Sequence, residues 1–233
     1  MKTFAIVLGM SLFTLVGCAA ETEDEAPPGD VEAQSEEAYK GDGTGCPANV
    51  VGFYTPVDVK NPLGPGASCS GVYMGTRIAT AAHCGLDPKK TYFFFPGDDP
   101  TKPEKRRPIT SFTVATDGRD VGWAGLAKSI AGVPEARLGH AIEPPKSGML
   151  AAGFSGSRRC NKADVIGFHR WVPEQGPKVW GAKASQKSTG GDSGGPAYTM
   201  DGEGRLIVWG VLRGNYGPWI NPGDAFTYLA DAR

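Results

Sequence analysis

The sequence of 233 residues is 40% hydrophobic and contains 22 aromatic residues, which is enough apolar material to bury a core. Its 34 glycines and 19 prolines predict many turns, so the composition favours a turn-rich β protein over a helical bundle or a disordered chain. A net charge of −1 argues against a strongly basic nucleic-acid-binding protein.

Residues 1–17 predict an export signal, because Lys2 precedes an apolar run that ends in small residues. The run is too short to remain as a membrane-spanning helix. Its end, Leu15-Val16-Gly17-Cys18, resembles the lipobox of bacterial lipoproteins, in which the cysteine is acylated. The resemblance implies a lipidated Cys18 and a protein at the outer membrane or cell surface. The alternative is ordinary signal cleavage near Ala19-Ala20, which would release a secreted protein.

Residues 18–45 form an acidic segment with nine carboxylates against one base, Lys40. The segment has almost no large apolar residues with which to offset the entropy of ordering, so we expect a disordered tether. The remaining residues, 46–233, carry 16 acidic and 22 basic side chains, a net charge of about +6. This charge favours adhesion to an anionic membrane surface but names no substrate.

Residues 46–233 are predicted to fold as one domain of short strands. Apolar or alternating runs recur between clusters of glycine, proline, aspartate and asparagine, which is typical of an antiparallel barrel or sandwich. A short C-terminal helix is predicted over Ala225–Arg233, where Phe226 and Leu229 could share one face. The predicted strands are Val50–Tyr54, Ser70–Met74, Arg77–Ala81, Tyr92–Phe95, Ser111–Ala115, Gly148–Phe154, Val165–His169, Pro196–Met200 and Leu206–Leu212.

Four cysteines remain in this domain if Cys18 is lipidated, and an even number in an exported protein predicts disulfides. Three pairings are possible. Cys69 with Cys84 would close a short loop worth about 3 kcal/mol in the chain-entropy model. Cys46 with Cys160 would then tie the start of the domain to its middle. A zinc site is the alternative, but the sequence has no C-x-x-C pair, so we expect no metal.

The segment Gly190–Pro196 (GGDSGGP) has the composition needed around a nucleophile. Ser193 lies among glycines, where its hydroxyl would project clear of other side chains and backbone N–H groups could meet a developing oxyanion. The same residues match the G-x-S-x-G motif of α/β-hydrolases. In that fold the histidine follows the serine, whereas His83, His140 and His169 all precede Ser193, so the α/β-hydrolase interpretation is excluded.

His83 is the best candidate for a catalytic base among the three histidines. It directly follows the predicted strand Arg77–Ala81 and neighbours a cysteine, whereas His140 and His169 have no such setting. The residues Ser70–Tyr73 with Thr80–Cys84, and Gly191–Pro196, resemble the two signature blocks of trypsin/chymotrypsin-like serine proteases. The resemblance covers about residues 47–233 and is weak between 86 and 115.

This resemblance implies a catalytic triad in the order His, Asp, Ser. Asp120 opens the segment DVGWAGL, which resembles the family's Asp-Ile-Ala-Leu-Leu block, whereas Gly-Arg follows the rival Asp117 and indicates a turn. Ser193 would attack an acyl carbonyl, His83 would serve as general base and then acid, and Asp120 would hold the imidazole. The N–H groups of Gly191 and Ser193 would form the oxyanion hole.

For the fold, the resemblance implies two antiparallel six-stranded β-barrels, about 46–140 and 141–233, packed together with a short C-terminal helix. For the function, it implies a monomeric serine endopeptidase that acts on protein or peptide substrates, without a cofactor or metal and without binding nucleic acid. The alternative from a different class is a catalytically inactive, protease-like binding lipoprotein of the cell envelope.

The start of the domain departs from the family pattern. Animal members begin with Ile-Val-Gly-Gly, whose freed ammonium pairs with the aspartate before the nucleophile. The nearest match here, Val50–Phe53, has no basic cleavage site before it, and Cys46 lies upstream of any cut. Asp192 would therefore need another cation, and we expect the site to form on folding rather than on cleavage.

The substrate pocket departs from the pattern as well. Lys187 stands six residues before Ser193, where a trypsin-like pocket carries aspartate, which predicts poor cleavage after arginine or lysine. Asp224 is expected near another pocket position and could neutralise Lys187. The alternative is that the Lys187 side chain extends out to solvent. Arg213, in Arg213-Gly214-Asn215, replaces the serine of the usual Ser-Trp-Gly on the strand that pairs with substrate.

Overall fold

The computed structural model describes residues 46–56, 67–140, 144–145, 147–157, 159–171, 179–185, 188–216 and 223–229. These residues form an all-β structure of two antiparallel sheets, which confirms the predicted fold class. The helical elements within them are two single 3₁₀ turns, Ala82–Cys84 and Pro103–Lys105, and no helix among the described residues is long and apolar enough to cross a membrane.

The first sheet has seven strands, in the order β5-β4-β1-β2-β3-β7-β6, and each pairs antiparallel with its neighbours. Its interior is filled by aromatic and branched side chains, among them Phe53, Tyr73, Ile78 and Phe93, all of which are buried. The strands are β1 (Val50–Tyr54), β2 (Cys69–Tyr73), β3 (Arg77–Thr80), β4 (Tyr92–Phe94), β5 (Arg107–Pro108), β6 (Ser111–Val114) and β7 (Gly122–Gly125).

The second sheet also has seven strands, in the order β12-β9-β10-β11-β14-β13-β8. Because β12 also pairs with β13, six antiparallel strands close into a ring, and β8 is a two-residue addition that lies parallel to β13. The strands are β8 (Arg137–Leu138), β9 (Met149–Gly153), β10 (Asn161–Trp171), β11 (Val179–Ala184), β12 (Pro196–Met200), β13 (Leu206–Tyr216) and β14 (Gly223–Tyr228).

Two details of the predicted architecture are corrected. Each sheet has a seventh strand beyond the six predicted, because the short segments β5 and β8 join the ends of the sheets; in the second sheet the closed ring itself has the predicted six. The predicted helix over Ala225–Arg233 is wrong at its start, since β14 is a strand hydrogen-bonded to β11 on one side and β13 on the other. Phe226 and Thr227 are both buried, so β14 lacks the apolar–polar alternation that marks a half-exposed strand. Residues 230–233 lie outside the described residues.

Both predicted disulfides are present. Cys69–Cys84 joins β2 to the 3₁₀ turn after β3, with the two Cα atoms 6.2 Å apart. Cys46–Cys160 joins the residue four positions before β1 to the residue preceding β10, across a sequence separation of 114. The Cys69–Cys84 disulfide therefore fixes a local turn. The Cys46–Cys160 disulfide connects the segment before β1, in the first sheet, to the start of β10, in the second sheet.

The two sheets contact each other through a buried polar bridge and an aromatic pair. The Ser70 hydroxyl accepts a hydrogen bond from the Phe154 N–H (3.0 Å) and donates one to the Gly191 carbonyl (2.7 Å). The rings of Phe94 and Phe154 pack edge to face, with centroids 4.9 Å apart. Ser70 is fully buried, and its hydroxyl both accepts and donates a hydrogen bond across the junction. It therefore fixes the relative position of the sheets without leaving its own buried oxygen unbonded.

The turn between β12 and β13 gives one pH-dependent prediction. The backbone N–H and the guanidinium of Arg205, followed by the Glu203 N–H, bond to the Asp201 carboxylate and lower its pKa to about 2. An unfolded aspartate has a pKa of about 3.9, so this carboxylate stabilises the fold above about pH 4 and loses that effect as the pH falls to about 2. Asp201→Asn should therefore melt at a lower temperature than the wild type at pH 7, and circular dichroism melts should converge below about pH 2. A constant difference at every pH would contradict this.

Candidate active site

His83 occupies the middle of the 3₁₀ turn Ala82–Cys84, directly after β3. Its ring Nδ1 lies 2.7 Å from Asp120 Oδ2, and its backbone N–H donates to Asp120 Oδ1 at 2.9 Å. Because the carboxylate accepts at Nδ1, the neutral ring carries its proton there and Nε2 is left as the acceptor. This tautomer is the one that a general base requires. The His83 side chain is 45% exposed, whereas that of Asp120 is 15% exposed.

Asp120 is held as an anion. Burial raises the pKa of its carboxyl, but the side-chain and backbone hydrogen bonds from His83, with the charges of His83 and Arg213, bring the net pKa below the usual value. At neutral pH the Asp120 carboxylate therefore orients the imidazole and stabilises its protonated form. The rival Asp117 has a different role, since it bonds to the Arg119 side chain in the preceding turn.

Arg213 also reaches Asp120, a contact that the sequence did not reveal. Its Nε lies 3.8 Å from Asp120 Oδ2. The register between β13 and β14 shifts between Leu212 and Gly214, which makes Arg213 the extra residue of a β-bulge. Bulges re-aim side chains, which accounts for a guanidinium pointing toward the carboxylate. Arg213, predicted as a pocket residue, is thus placed beside the candidate triad.

Ser193 lies on a tight turn that packs against the end of β3. The Asp192 N–H donates to the Thr189 carbonyl (3.1 Å), and the Gly195 N–H donates to the Asp192 carbonyl (2.9 Å). Gly194 has φ +83, and a Cβ at this position would collide with the Thr80 hydroxyl and the Ser70 carbonyl. Glycine is therefore required at 194 both by its backbone conformation and by this close approach.

The same turn lies beside the turn that carries His83. The Ser193 carbonyl accepts a hydrogen bond from the Ser70 N–H at 2.7 Å and lies 3.8 Å from Cys84 Sγ. Cys84 is the chain neighbour of His83 and is fixed to β2 by the disulfide with Cys69. The histidine turn and the serine turn are thus packed together at the junction of the two sheets.

Asp192 is fully buried beneath the Ser193 turn. Its Oδ1 accepts from the Ser155 N–H at 2.7 Å, and the Ser155 hydroxyl lies 2.8 Å from both carboxylate oxygens. Its Oδ2 also accepts from the Thr189 N–H at 2.9 Å. A Cβ at Gly153 would collide with Asp192 Oδ1, so the missing side chain at 153 makes room for the carboxylate.

The remaining predicted residues are only partly described. Lys187 and Cys18 lie outside the described residues, and Asp224 is described only as a backbone position in β14, opposite Ala182 and Asn215. His140 is exposed and lies two residues after the end of β8. The other histidine set aside in the sequence analysis, His169, lies in β10.

Comparisons with known proteins give matches at the level of structure only. No family model matches the sequence, and no curated protein does. The secreted serine protease VesC from Vibrio cholerae superposes with a TM-score of 0.58 at 17% identity, covering 79% of this chain and 44% of that structure. The V. cholerae VesB protease gives 0.56 at 16% identity, covering 78% and 61%. Human heparin binding protein gives 0.57 at 18% identity, covering 78% and 86%.

The chain thus spans less than two thirds of the length of either Vibrio structure. Identities of 16–18% establish likeness of fold alone. Together with the two curled antiparallel sheets, they show that the described residues between 46 and 229 have the trypsin-like double β-barrel fold.

Proposed function

We propose that this protein is a serine endopeptidase that hydrolyses peptide bonds through an acyl-enzyme, with Ser193, His83 and Asp120 as its catalytic residues. The observation that carries the proposal is the His83–Asp120 pair, with Nδ1 and Oδ2 2.7 Å apart, packed beside the glycine-rich turn of Ser193. A histidine on one turn, bonded to an aspartate that precedes β7, and a serine on the adjoining turn match the constellation of acyl-transfer catalysis.

In this mechanism Ser193 Oγ attacks the substrate carbonyl while His83 Nε2 takes the hydroxyl proton. The imidazolium then gives that proton to the leaving amine, and the acyl group stays on Ser193 Oγ. In the second half water attacks the acyl carbonyl while His83 takes its proton. The imidazolium then gives that proton to Ser193 Oγ as the ester bond breaks and the acid leaves. The Asp120 carboxylate stabilises the imidazolium in both halves without taking its proton.

The developing oxyanion would be bound by the backbone N–H groups of Gly191 and Ser193. Gly191 has φ +97, and a Cβ there would collide with the Gly156 backbone, so only glycine fits. The Gly194 N–H donates to the Leu212 carbonyl at 2.7 Å, which fixes the turn on the side of β13. A rigid turn of this kind holds its donors before charge develops, which is the basis of oxyanion stabilisation.

For location, we propose export with an anchor through a lipidated Cys18, so that the catalytic domain acts at the outer membrane or cell surface on protein or peptide substrates. The lipobox-like Leu15–Cys18 and the acidic stretch to residue 45 support a tethered domain. The structural likeness to a protease described as secreted is consistent with export. Release after ordinary signal cleavage is the alternative.

Covalent labelling tests the assignment of the nucleophile. A fluorophosphonate probe should label the purified full-length wild type and fail to label Ser193→Ala, because phosphonylation needs the activated Oγ at 193. Ser111→Ala, which alters an exposed serine on β6, should label as the wild type does. Peptide mapping would place the label. A folded wild type that takes no label would reject the protease and favour the inactive binding lipoprotein.

A further inference from the structure

The turn that follows β9 contains an unusual backbone conformation. Ser155 has φ +44 and is the one residue other than glycine with positive φ among the described residues. Gly156 has φ +65, and the Ser157 N–H donates to the Phe154 carbonyl at 2.6 Å. Positive φ at both central positions is the pattern of a type I′ turn, for which asparagine and glycine are the preferred residues. A serine held in this conformation indicates that the position is constrained by something other than the turn itself.

The constraint is the contact with Asp192. With φ positive, the backbone N–H and the hydroxyl of Ser155 both face Asp192, at 2.7 Å and 2.8 Å. The neighbouring Gly156 backbone packs so closely on Gly191 that no Cβ fits between them. The turn therefore contacts the Ser193 loop at two points. One is the buried Asp192 carboxylate, and the other is the backbone of Gly191, whose N–H is a proposed oxyanion-hole donor.

The start of the domain is engaged elsewhere. Val50 and Val51 are fully buried in β1, in register with Val72 and Gly71 of β2, and the Val50 N–H donates to the Pro47 carbonyl at 3.0 Å. Cys46, upstream of these residues, is bonded to Cys160. The Val50 nitrogen is thus an amide inside the first sheet, so a cut before Val50 is not needed to build the contacts that Ser155 makes with Asp192.

We propose that Ser155 is a positioning residue for the oxyanion hole: together with the Thr189 N–H it fixes the Asp192 carboxylate on folding, so that the uncleaved chain is active. This rests on the proposed protease function. Ser155 contacts neither substrate nor reacting atoms, and it acts through Asp192 on the direction of the Gly191 and Ser193 N–H groups. Its loss should therefore lower kcat and leave KM nearly unchanged, because the donors act on the transition state more than on bound substrate.

Three substitutions separate this role from a general structural one. Ser155→Gly keeps the positive φ and the N–H donor and removes the hydroxyl, so the variant should fold. We expect its kcat for a p-nitrophenyl ester, and its rate of fluorophosphonate labelling, to fall on the order of tenfold to a hundredfold, less than loss of a direct oxyanion donor. Ser155→Asn, which tolerates positive φ and supplies a side-chain donor, should recover most of that loss. Ser157→Ala is the matched control, because the Ser157 hydroxyl bonds to the Phe154 and Arg159 carbonyls, and it should stay within about twofold.

The outcomes are distinct. Equal rates for Ser155→Gly and the wild type, or a matching loss in Ser157→Ala, would overturn the role of Ser155 while the protease function stood. Failure of the wild type itself to label would overturn both. The mass of the labelled and reduced wild type should show the chain intact across the Pro47–Val50 region, and label found only on molecules cut there would overturn activity without cleavage.

Discussion

The Asp120→Asn variant is expected to hydrolyse substrates about 10⁴-fold more slowly than the wild type in kcat, with KM close to unchanged. Asp120 makes two hydrogen bonds to His83, one from the ring Nδ1 and one from the backbone N–H. An amide side chain would keep the shape but present an N–H group toward Nδ1, which favours the ring tautomer with its proton on Nε2. The imidazole would then have no lone pair available for the Ser193 proton, and the imidazolium would lose its counter-charge.

The matched control is Asp117→Asn, three positions earlier in the same loop. Asp117 pairs with the buried Arg119 at 2.7 Å, so its loss should lower the melting temperature. Because the described bonds of Asp117 are to Arg119, kcat per folded molecule should stay within a few-fold of the wild type. Steady-state kinetics with active-site titration measures both variants. Equal losses of kcat in the two variants would remove Asp120 from its proposed role.

The predictable parts of this fold are those with local chemical constraints. All nine strands predicted from apolar runs between turn residues are strands in the structure, from Val50–Tyr54 to Leu206–Tyr216. Cys69 and Cys84 pair as expected, because they flank a short segment that folds back on itself. Asp120 was separable from Asp117 because an apolar strand follows only the former, and β7 places it beside His83.

The unpredicted parts depend on contacts distant in sequence. Strands β11 and β14 each bury consecutive residues, Val179 with Trp180 and Phe226 with Thr227, so their sequences show no clear apolar–polar alternation. The approach of Arg213 to Asp120 depends on a bulge in the β13–β14 register, and no local pattern announces it. The same holds for Ser155, whose importance arises from a carboxylate 37 residues away. Sequence motifs predicted the candidate reacting groups, whereas the groups proposed to orient them became visible only in three dimensions.

The second large effect is expected on stability, from removal of the Cys46–Cys160 disulfide. This bond closes a loop with a sequence separation of 114 residues, for which the chain-entropy model gives about 4–5 kcal/mol. The double variant Cys46→Ala/Cys160→Ala should lose about that much free energy of unfolding in urea, a large fraction of the ~5–15 kcal/mol typical of a domain. The bond also joins the entry of β1 to β10, so its loss should loosen the contact between the barrels.

The pair Cys69→Ala/Cys84→Ala provides the comparison. This disulfide closes a short loop, with a sequence separation of 15, so its removal should lower the free energy of unfolding by about 3 kcal/mol. Cys84 ends the turn that carries His83 and contacts the Ser193 carbonyl, so this variant should lose kcat even where it is fully folded. The Cys46/Cys160 variant should keep the kcat of the wild type below its own melting transition. We assign the Cys46–Cys160 bond to the stability of the whole domain and the Cys69–Cys84 bond to the orientation of His83. A contribution below ~1 kcal/mol from the long-loop disulfide, or equal losses of kcat in both variants, would contradict this assignment.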